Sequence, residues 1–238
     1  MPNWCYSNIT FYGDEREVED TYQKIKKSTT EEYTKSMKES SVSFGNDWLG
    51  NIADIYGYNY NDIPCRGMLE SDLEYNKENN NFNFEISSAW SFNNEMWDRI
   101  IHDNYNNLNY VFIAEEPNMG YYENSDLNKL FYKEEYFLSM FVSDELYDKY
   151  VKIDREDFLT YEDGDYIYRE ERFESTEELL NFFNNCINSD TKFENFGDIL
   201  NYSNEVYSED VDICVYDYFV PYRLVYDFNY LKDEIILL

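Results

Sequence analysis

The sequence predicts an α+β fold, with a ferredoxin-like β-α-β-β-α-β half followed by an acidic α+β extension. Segments with the two-residue alternation of strands are interleaved in the first half with segments of helical periodicity. Leu, Ile, Val and Phe make up 59 of the 238 residues, and 26 Tyr add to them. That fraction lies above the roughly 20% below which a charged chain is expected to stay unfolded. The chain therefore folds around an aromatic-rich core despite a net charge of −31.

The first strand and helix are marked by periodicity and by a capping signal. Trp4–Tyr12 alternates as a strand does. Asp14 followed by Glu17 has the spacing of a capping box, which predicts a helix through about Lys27. The polar segment Ser28–Ser41 either extends that helix or forms a loop.

The rest of the first half completes the β-α-β-β-α-β order. Trp48–Tyr56 has the spacing of a short helix inserted after the first one. Cys65–Tyr75 and Phe82–Trp90 are expected to pair as strands, and Ser91 is expected to cap a helix ending at Asn104. Asn109–Ala114 is an apolar strand. The order is that of the split βαβ arrangement, assigned to residues 1–125.

Residues 126–238 form either an extension of the first sheet or a second small domain. Ser175 and Glu178 predict a helix by their capping-box spacing. Asp163-Gly164 is a pair that tight hairpin turns prefer. The predicted strands are Glu134–Val142, Phe158–Tyr161, Tyr166–Arg169, Ile213–Val220 and Leu224–Tyr230.

The charge excludes several classes of function. Residues 41–238 hold 13 basic and 42 acidic side chains, a net charge of −29. Such a chain repels nucleic acid and anionic membrane surfaces. The sequence contains no apolar run of the roughly 18 residues that a bilayer span needs and no secretory signal, so a cytoplasmic location is expected. Four separated cysteines and one histidine predict reduced thiols, with no metal, no cofactor and no catalytic residue.

Four motifs resemble those of the YubB-like family, ferredoxin-like proteins of phage, plasmid and bacterial genomes. The motifs are MPNWC at the start, WLGN with a later CRG, SAWS, and EEPNMG. Phe92, directly after SAWS, replaces a proline that is typical of the family, and Asn118 in EEPNMG replaces a glycine. The resemblance covers about residues 1–125 and implies a ferredoxin-like fold, carriage on a mobile element and no known activity. The motif residues, expected to be structural, are Trp4, Cys5, Trp48, Gly50, Asn51, Arg66, Gly67, Ala89, Trp90, Glu115, Glu116, Pro117 and Gly120.

Individual side chains within and near these motifs have two interpretations each. The four tryptophans are expected to fill the core, with surface recognition as the alternative. Arg66 is expected to pair with a carboxylate, with an anion site as the alternative. His102 is expected to be solvated or structural.

The acidic excess leads to the functional hypothesis. A polyanionic face would bind a basic protein, such as a nucleic-acid-binding host or defence protein, as a DNA mimic or an anti-CRISPR-type inhibitor does. The alternatives are a metal-dependent hydrolase with clustered carboxylates, or an acidic protein tuned only for solubility. An RNA-binding role lacks the basic residues it needs. The residues expected to form the partner-binding face are Asp154, Glu156, Asp157, Glu162, Asp163, Asp165, Glu170, Glu171, Glu174, Glu209, Asp210 and Asp212.

Overall fold

The structure is a mixed α+β fold with antiparallel sheets. A computed structural model describes residues 3–36, 44–158, 161–163, 165–190 and 192–219. The chain divides into two compact units after Tyr132, whereas the sequence placed the boundary after Ser125. None of the helices in these described ranges is long and apolar enough to cross a bilayer.

The first unit contains one sheet with its helices. Its elements are β1 (Trp4–Gly13), α1 (Glu15–Ser28), α2 (Glu31–Ser36), α3 (Leu49–Ile55), β2 (Gly67–Leu69), β3 (Glu74–Asn76), β4 (Asn81–Ala89), α4 (Asn94–Asn104), β5 (Leu108–Glu116) and β6 (Tyr121–Asn124). The strand order is β2-β4-β1-β5-β6, and β3 also pairs with β4. Every pair of neighbours is antiparallel.

The central strand β1 divides the first unit into a core face and an opposite face. Because successive side chains of a strand point to opposite sides, Ile9 and Phe11 are buried while Tyr6 is exposed. The ring of Phe11 lies 5.0 Å from that of Phe82 on β4 and 5.5 Å from that of Trp97 on α4. Aromatic packing therefore joins the sheet to this helix.

Helix α1 begins as predicted, but its capping box is not reciprocal. The Asp14 carboxylate accepts hydrogen bonds from the backbone N–H groups of Arg16 and Glu17. The Glu17 carboxylate accepts from the backbone N–H groups of Asn106 and Asn107 instead of returning to the cap. Glu17 thus ties the helix to the loop that precedes β5.

The predicted strand Cys65–Tyr75 is two short strands, β2 and β3. Between them the Ser71 hydroxyl accepts from the backbone N–H of Glu85 at 2.9 Å. A side-chain oxygen here takes the place of a backbone carbonyl, which interrupts the ladder.

Helix α4 begins two residues later than predicted, with Asn93 rather than Ser91 at its cap position. The intervening Phe92 is buried, and its ring stacks on that of Phe112 at 3.7 Å. This packing keeps the segment out of the helix.

The second unit has a sheet of order β10-β7-β9-β8, again antiparallel. Its elements are β7 (Tyr136–Ser143), α5 (Tyr147–Tyr150), α6 (Arg155–Phe158), β8 (Tyr161–Asp163), β9 (Tyr166–Phe173), α7 (Thr176–Cys186), α8 (Phe196–Val206) and β10 (Val211–Asp217). Leu138, Met140 and Val142 of β7 pack with Phe183 of α7 and Ile199 of α8 in its core.

Two features of the second unit differ from the sequence prediction, and two predicted features lie outside the described residues. The predicted strand Phe158–Tyr161 does not start at Phe158, because this residue ends α6; the strand there, β8, begins at Tyr161 and pairs with β9. Helix α8 was not predicted, although its start has a capping box of Asn195 and Asp198. The predicted turn residue Gly164 and the predicted strand Leu224–Tyr230 lie outside the described residues.

We predict that Gly67→Ala destabilises the protein more than Gly57→Ala. A Cβ at Gly67 would lie 2.3 Å from the Ser87 carbonyl oxygen, whereas a Cβ at Gly57 meets nothing within 4 Å. The clash should cost about 3 kcal/mol in free energy of unfolding. Gly57 has a φ of +86°, and its substitution should cost about 1 kcal/mol through backbone strain alone. Urea denaturation measures both losses, and an equal or smaller loss for Gly67→Ala would contradict the close approach of β2 to β4.

Candidate functional site

The sequence motifs of the first unit meet at one end of its sheet. β1 starts at Trp4, which pairs with Ala89 at the end of β4. The Ala89 N–H donates to the Arg66 carbonyl at 3.0 Å, just before β2. Tyr6 pairs with Glu115 near the end of β5. We call this region, where these strand ends adjoin, the motif end of the sheet.

The WLGN segment is built around the indole ring of Trp48. A Cβ at Gly50 would lie 2.3 Å from this ring, so only glycine lets the ring pack over the start of α3. The Asn51 amide donates to the carbonyls of Gly45 and Asn46 at 2.7 and 3.0 Å. These contacts hold the loop before the helix against it.

The EEPNMG segment forms a closed turn after β5. The Glu116 carboxylate accepts from the backbone N–H of Asn118 and from its side-chain amide, at 3.2 and 3.1 Å. Pro117 opens the short 3-10 helix Pro117–Met119, and Gly120 ends it with a φ of 63°. Asn118 thus supplies two donors to Glu116, one from its backbone and one from its side chain.

Two tryptophans do not fill the core as expected. Trp97 and Trp48 are buried, but Trp4 is 38% and Trp90 is 49% exposed. Trp4 lies on the face of β1 opposite the buried Cys5, and Trp90 follows β4 with a backbone φ of 74°. A bulky residue in this left-handed region is strained, and such strain is concentrated at functional sites.

Trp97, the most deeply buried of the four tryptophans, lacks within the described residues the hydrogen bond that a buried indole usually makes. The indole nitrogen of Trp97 is buried and has no hydrogen-bond partner among the described atoms. Its ring contacts with Phe11 and Phe84 are edge-to-face. Trp97 is therefore held by packing within the hydrophobic core, of which these ring contacts are a part.

A groove of about 570 Å³ opens beside the motif end, lined by Trp4, Trp48, Tyr60, Cys65 and Arg66 among others. The Arg66 side chain is exposed and forms no ion pair with any carboxylate of the described residues, so the expected salt bridge is absent there. The guanidinium of Arg66 is therefore free to bind an anion beside the aromatic rings of the groove.

The thiols of the motif end are suited to packing rather than to nucleophilic attack. Burial raises the pKa of Cys5 to about 12, although its contact with the Ser7 hydroxyl opposes the shift. Burial likewise raises the pKa of Cys65 to about 11. Since the thiolate is the nucleophile, both groups are inactive near neutral pH.

His102 and the carboxylates show no catalytic arrangement in the described residues. His102 is exposed, and its Nδ1 lies 2.7 Å from the Asp103 carboxylate. The hydrogen bond from His102, with another from Tyr58, holds the pKa of Asp103 below its usual value. Within the described ranges, no group of three His, Cys, Asp or Glu side chains is arranged to hold a metal ion.

The acidic residues of β9 and β10 lie on two different faces of the second sheet. Glu170 pairs with Ser139 and Asp212 pairs with Phe141, on the outer face away from the core. Glu171 pairs with the core residue Leu138, and its carboxylate forms an ion pair with Arg169. Strand alternation therefore separates Glu170 from Glu171.

A second group of predicted acidic residues gathers near the end of β7. The Asp210 carbonyl accepts from Ser143 and the Asp165 carbonyl accepts from Asp144, both at 2.8 Å. The exposed Glu209 stands beside Asp210 in the turn before β10.

The remaining members of the set are dispersed. Asp154 and Glu156 are exposed on either side of Arg155, at the start of α6. Glu174 follows the other end of β9 and precedes α7. The side chains of Asp157, Glu162 and Asp163 lie outside the described part of the chain. The described members of the set therefore do not form a single face.

We predict that Cys5 and Cys65 resist labelling in the folded protein. At pH 8 both thiols are protonated because their pKa values are raised, so a disulfide reagent should modify neither within minutes. In urea all four cysteines should react. Mass spectrometry of the labelled peptides assigns the sites, and rapid labelling of folded Cys5 at pH 7 would contradict the burial of this thiol.

Comparison with known proteins gives no further guide to function. No family model, no curated protein and no solved structure matches the chain. Its function is therefore inferred from the molecule itself, and above all from the excess of carboxylates in the second unit.

Proposed function

We propose that this protein is a polyanionic interaction protein that binds a basic surface of another protein. The observation that carries the proposal is the charge of the second unit. Residues 133–219 contain 7 basic and 24 acidic side chains, a net charge of −17. At least 17 of these carboxylates therefore have no cation of their own unit to neutralise them.

The few cations of this unit do little to reduce the acidic field. Arg155 forms an ion pair with Asp144, and Arg169 forms one with Glu171. Lys152 donates to a backbone carbonyl, and the charge of Lys149 lies 4.6 Å from the centre of the Tyr150 ring. The guanidinium of Arg172 lies over the ring of Phe137.

The outer face of the second sheet combines carboxylates with aromatic rings. Asp212 pairs with Phe141, which pairs in turn with Tyr168. The ring of Phe141 lies 5.8 Å from that of Tyr166. Carboxylates steer a cationic partner toward the surface, and aromatic side chains provide the buried area that holds it.

A nucleic-acid-binding protein is the partner class that fits this chemistry. Its cationic groove normally holds phosphates, and carboxylates on a rigid sheet can replace them. The protein would then act as an inhibitor of a host or defence protein, as a DNA mimic or an anti-CRISPR-type protein does. The metal-dependent hydrolase has no observation in its favour among the described residues.

We also propose that the first unit has the ferredoxin-like arrangement and is related to the YubB-like family of mobile elements. β1 lies between β4 and β5, with α1 following β1 and α4 following β4. This order supports the split β-α-β-β-α-β arrangement, in which β2 and β3 together take the position of the second strand beside β4.

We predict that the protein captures a basic nucleic-acid-binding protein from host lysate at low salt. Because the attraction is electrostatic, binding should weaken at least roughly tenfold between about 50 and 300 mM NaCl. The double variant Glu170→Gln, Asp212→Asn should bind more weakly than Glu74→Gln, Glu78→Gln, which removes the same charge from exposed sites of the first unit. Affinity for the recovered partner is measured by calorimetry.

Two results would reject the proposed function. One is the recovery of no basic protein at 50 mM NaCl. The other is a bound protein whose affinity is independent of salt and equal for the two double variants.

A further inference from the structure

We propose that the groove beside the motif end binds a small aromatic anion, a planar ring that carries one carboxylate or phosphate group. The aromatic side chains of the groove hold the ring, and Arg66 binds the anionic group. This site lies in the first unit and is independent of the acidic surface of the second.

The walls of the groove are aromatic. The Trp48 ring forms edge-to-face contacts with Phe44 at 4.9 Å and with Tyr60 at 5.6 Å. Trp4 and Phe44 keep 38% and 67% of their surface exposed. The volume of about 570 Å³ lies within the range of about 300 to 1,000 Å³ that is typical of small-molecule sites. A planar ring entering the groove would cover surface that is now in contact with water.

The charge of the groove is opposite to that of the protein. The chain contains 50 acidic residues, yet none of the ten described residues that line the groove is acidic. Arg66 is the charged residue among them, and no described carboxylate forms an ion pair with it. Its planar guanidinium matches the two oxygens of a carboxylate or a phosphate. The groove is thus suited to one anionic group and not to a cation.

The backbone around Arg66 is held in place before any ligand arrives. Its carbonyl accepts from Ala89, and the next residue, Gly67, lies so close to β4 that a Cβ would clash there. On its other side Cys65 is buried, with its sulfur 3.7 Å from the Tyr60 carbonyl. A fixed backbone lowers the entropy lost on binding.

Calorimetry with simple probes tests the site in the full-length protein. Indole-3-acetate and phenyl phosphate each carry one ring and one anionic group, whereas indole-3-acetamide keeps the ring and lacks the charge. We expect saturable binding of at least one anion with a Kd on the order of 0.1 to 1 mM. Indole-3-acetamide should bind at least about fivefold more weakly than indole-3-acetate. The tighter of the two anions identifies the preferred group.

Two variants test the role of the arginine. Arg66→Gln should weaken binding of the tighter anion by about tenfold. Arg16→Gln removes the same charge from an exposed position on α1 and should leave binding unchanged. Urea denaturation confirms that both variants fold.

Three results would overturn the proposal. They are the lack of saturation by either anion up to about 10 mM, equal affinity for indole-3-acetate and its amide, and equal loss of binding in the two variants. The probe comparison uses only the unmodified protein, so it remains decisive if a variant is unstable. The acidic surface takes no part in these measurements, so their failure would leave the proposed function untouched.

Discussion

The first unit depends on one strand that is paired along both edges. β1 forms ladders with β4 and with β5, so its backbone hydrogen bonds are satisfied on both sides over nearly its whole length. This double pairing fixes the register, and the register decides which side chains are buried. Phe11 then joins the aromatic core, while Trp4 and Tyr6 are left on the other face. The same constraint that builds the core therefore places aromatic rings at the motif end.

Stability and charge are distributed differently along the chain. The aromatic stack around Phe11 and Trp97 buries large apolar surfaces, which offsets the mutual repulsion of the carboxylates. The second unit has the denser acidic excess, with 7 basic and 24 acidic side chains in residues 133–219. This excess gives the unit a negative field, and the proposed binding of a basic partner rests on it. The groove beside Arg66 is the local exception, where an arginine has no carboxylate partner among the described residues.

Much of the fold follows from periodicity and capping, which act over a few residues. The alternation of Trp4–Tyr12 and the cap at Asp14 are local signals, and the structure confirms the strand and the helix. The same alternation separates Glu170 from Glu171, although their adjacency in sequence first suggested a shared face. The exposure of Trp90 was not predictable from local sequence. Its left-handed backbone occurs where its N–H donates to the carbonyl of Asn3, a residue far away in the sequence.

The groove could not be predicted because it depends on distant parts of the chain. Trp4, Trp48 and Arg66 belong to three separate segments, which only the pairing of β1, β4 and β2 brings together. The sequence also could not show that Arg66 lacks an ion pair with the described carboxylates, since a chain with 50 acidic residues contains many carboxylates that could pair with it. In the structure, the described residues that line the groove include aromatic rings and no carboxylate, and no described carboxylate forms an ion pair with Arg66.

A comparison of two substitutions on β1 tests most directly whether this strand divides the first unit. Phe11→Ala and Tyr6→Ala remove aromatic rings from opposite faces of the same strand. We expect Phe11→Ala to lower the free energy of unfolding by about 3 to 5 kcal/mol, and Tyr6→Ala to change it by about 0.5 kcal/mol or less. Equal losses in urea denaturation, or a larger loss for Tyr6→Ala, would contradict the division of β1 into a core face and an opposite face that is exposed at Tyr6.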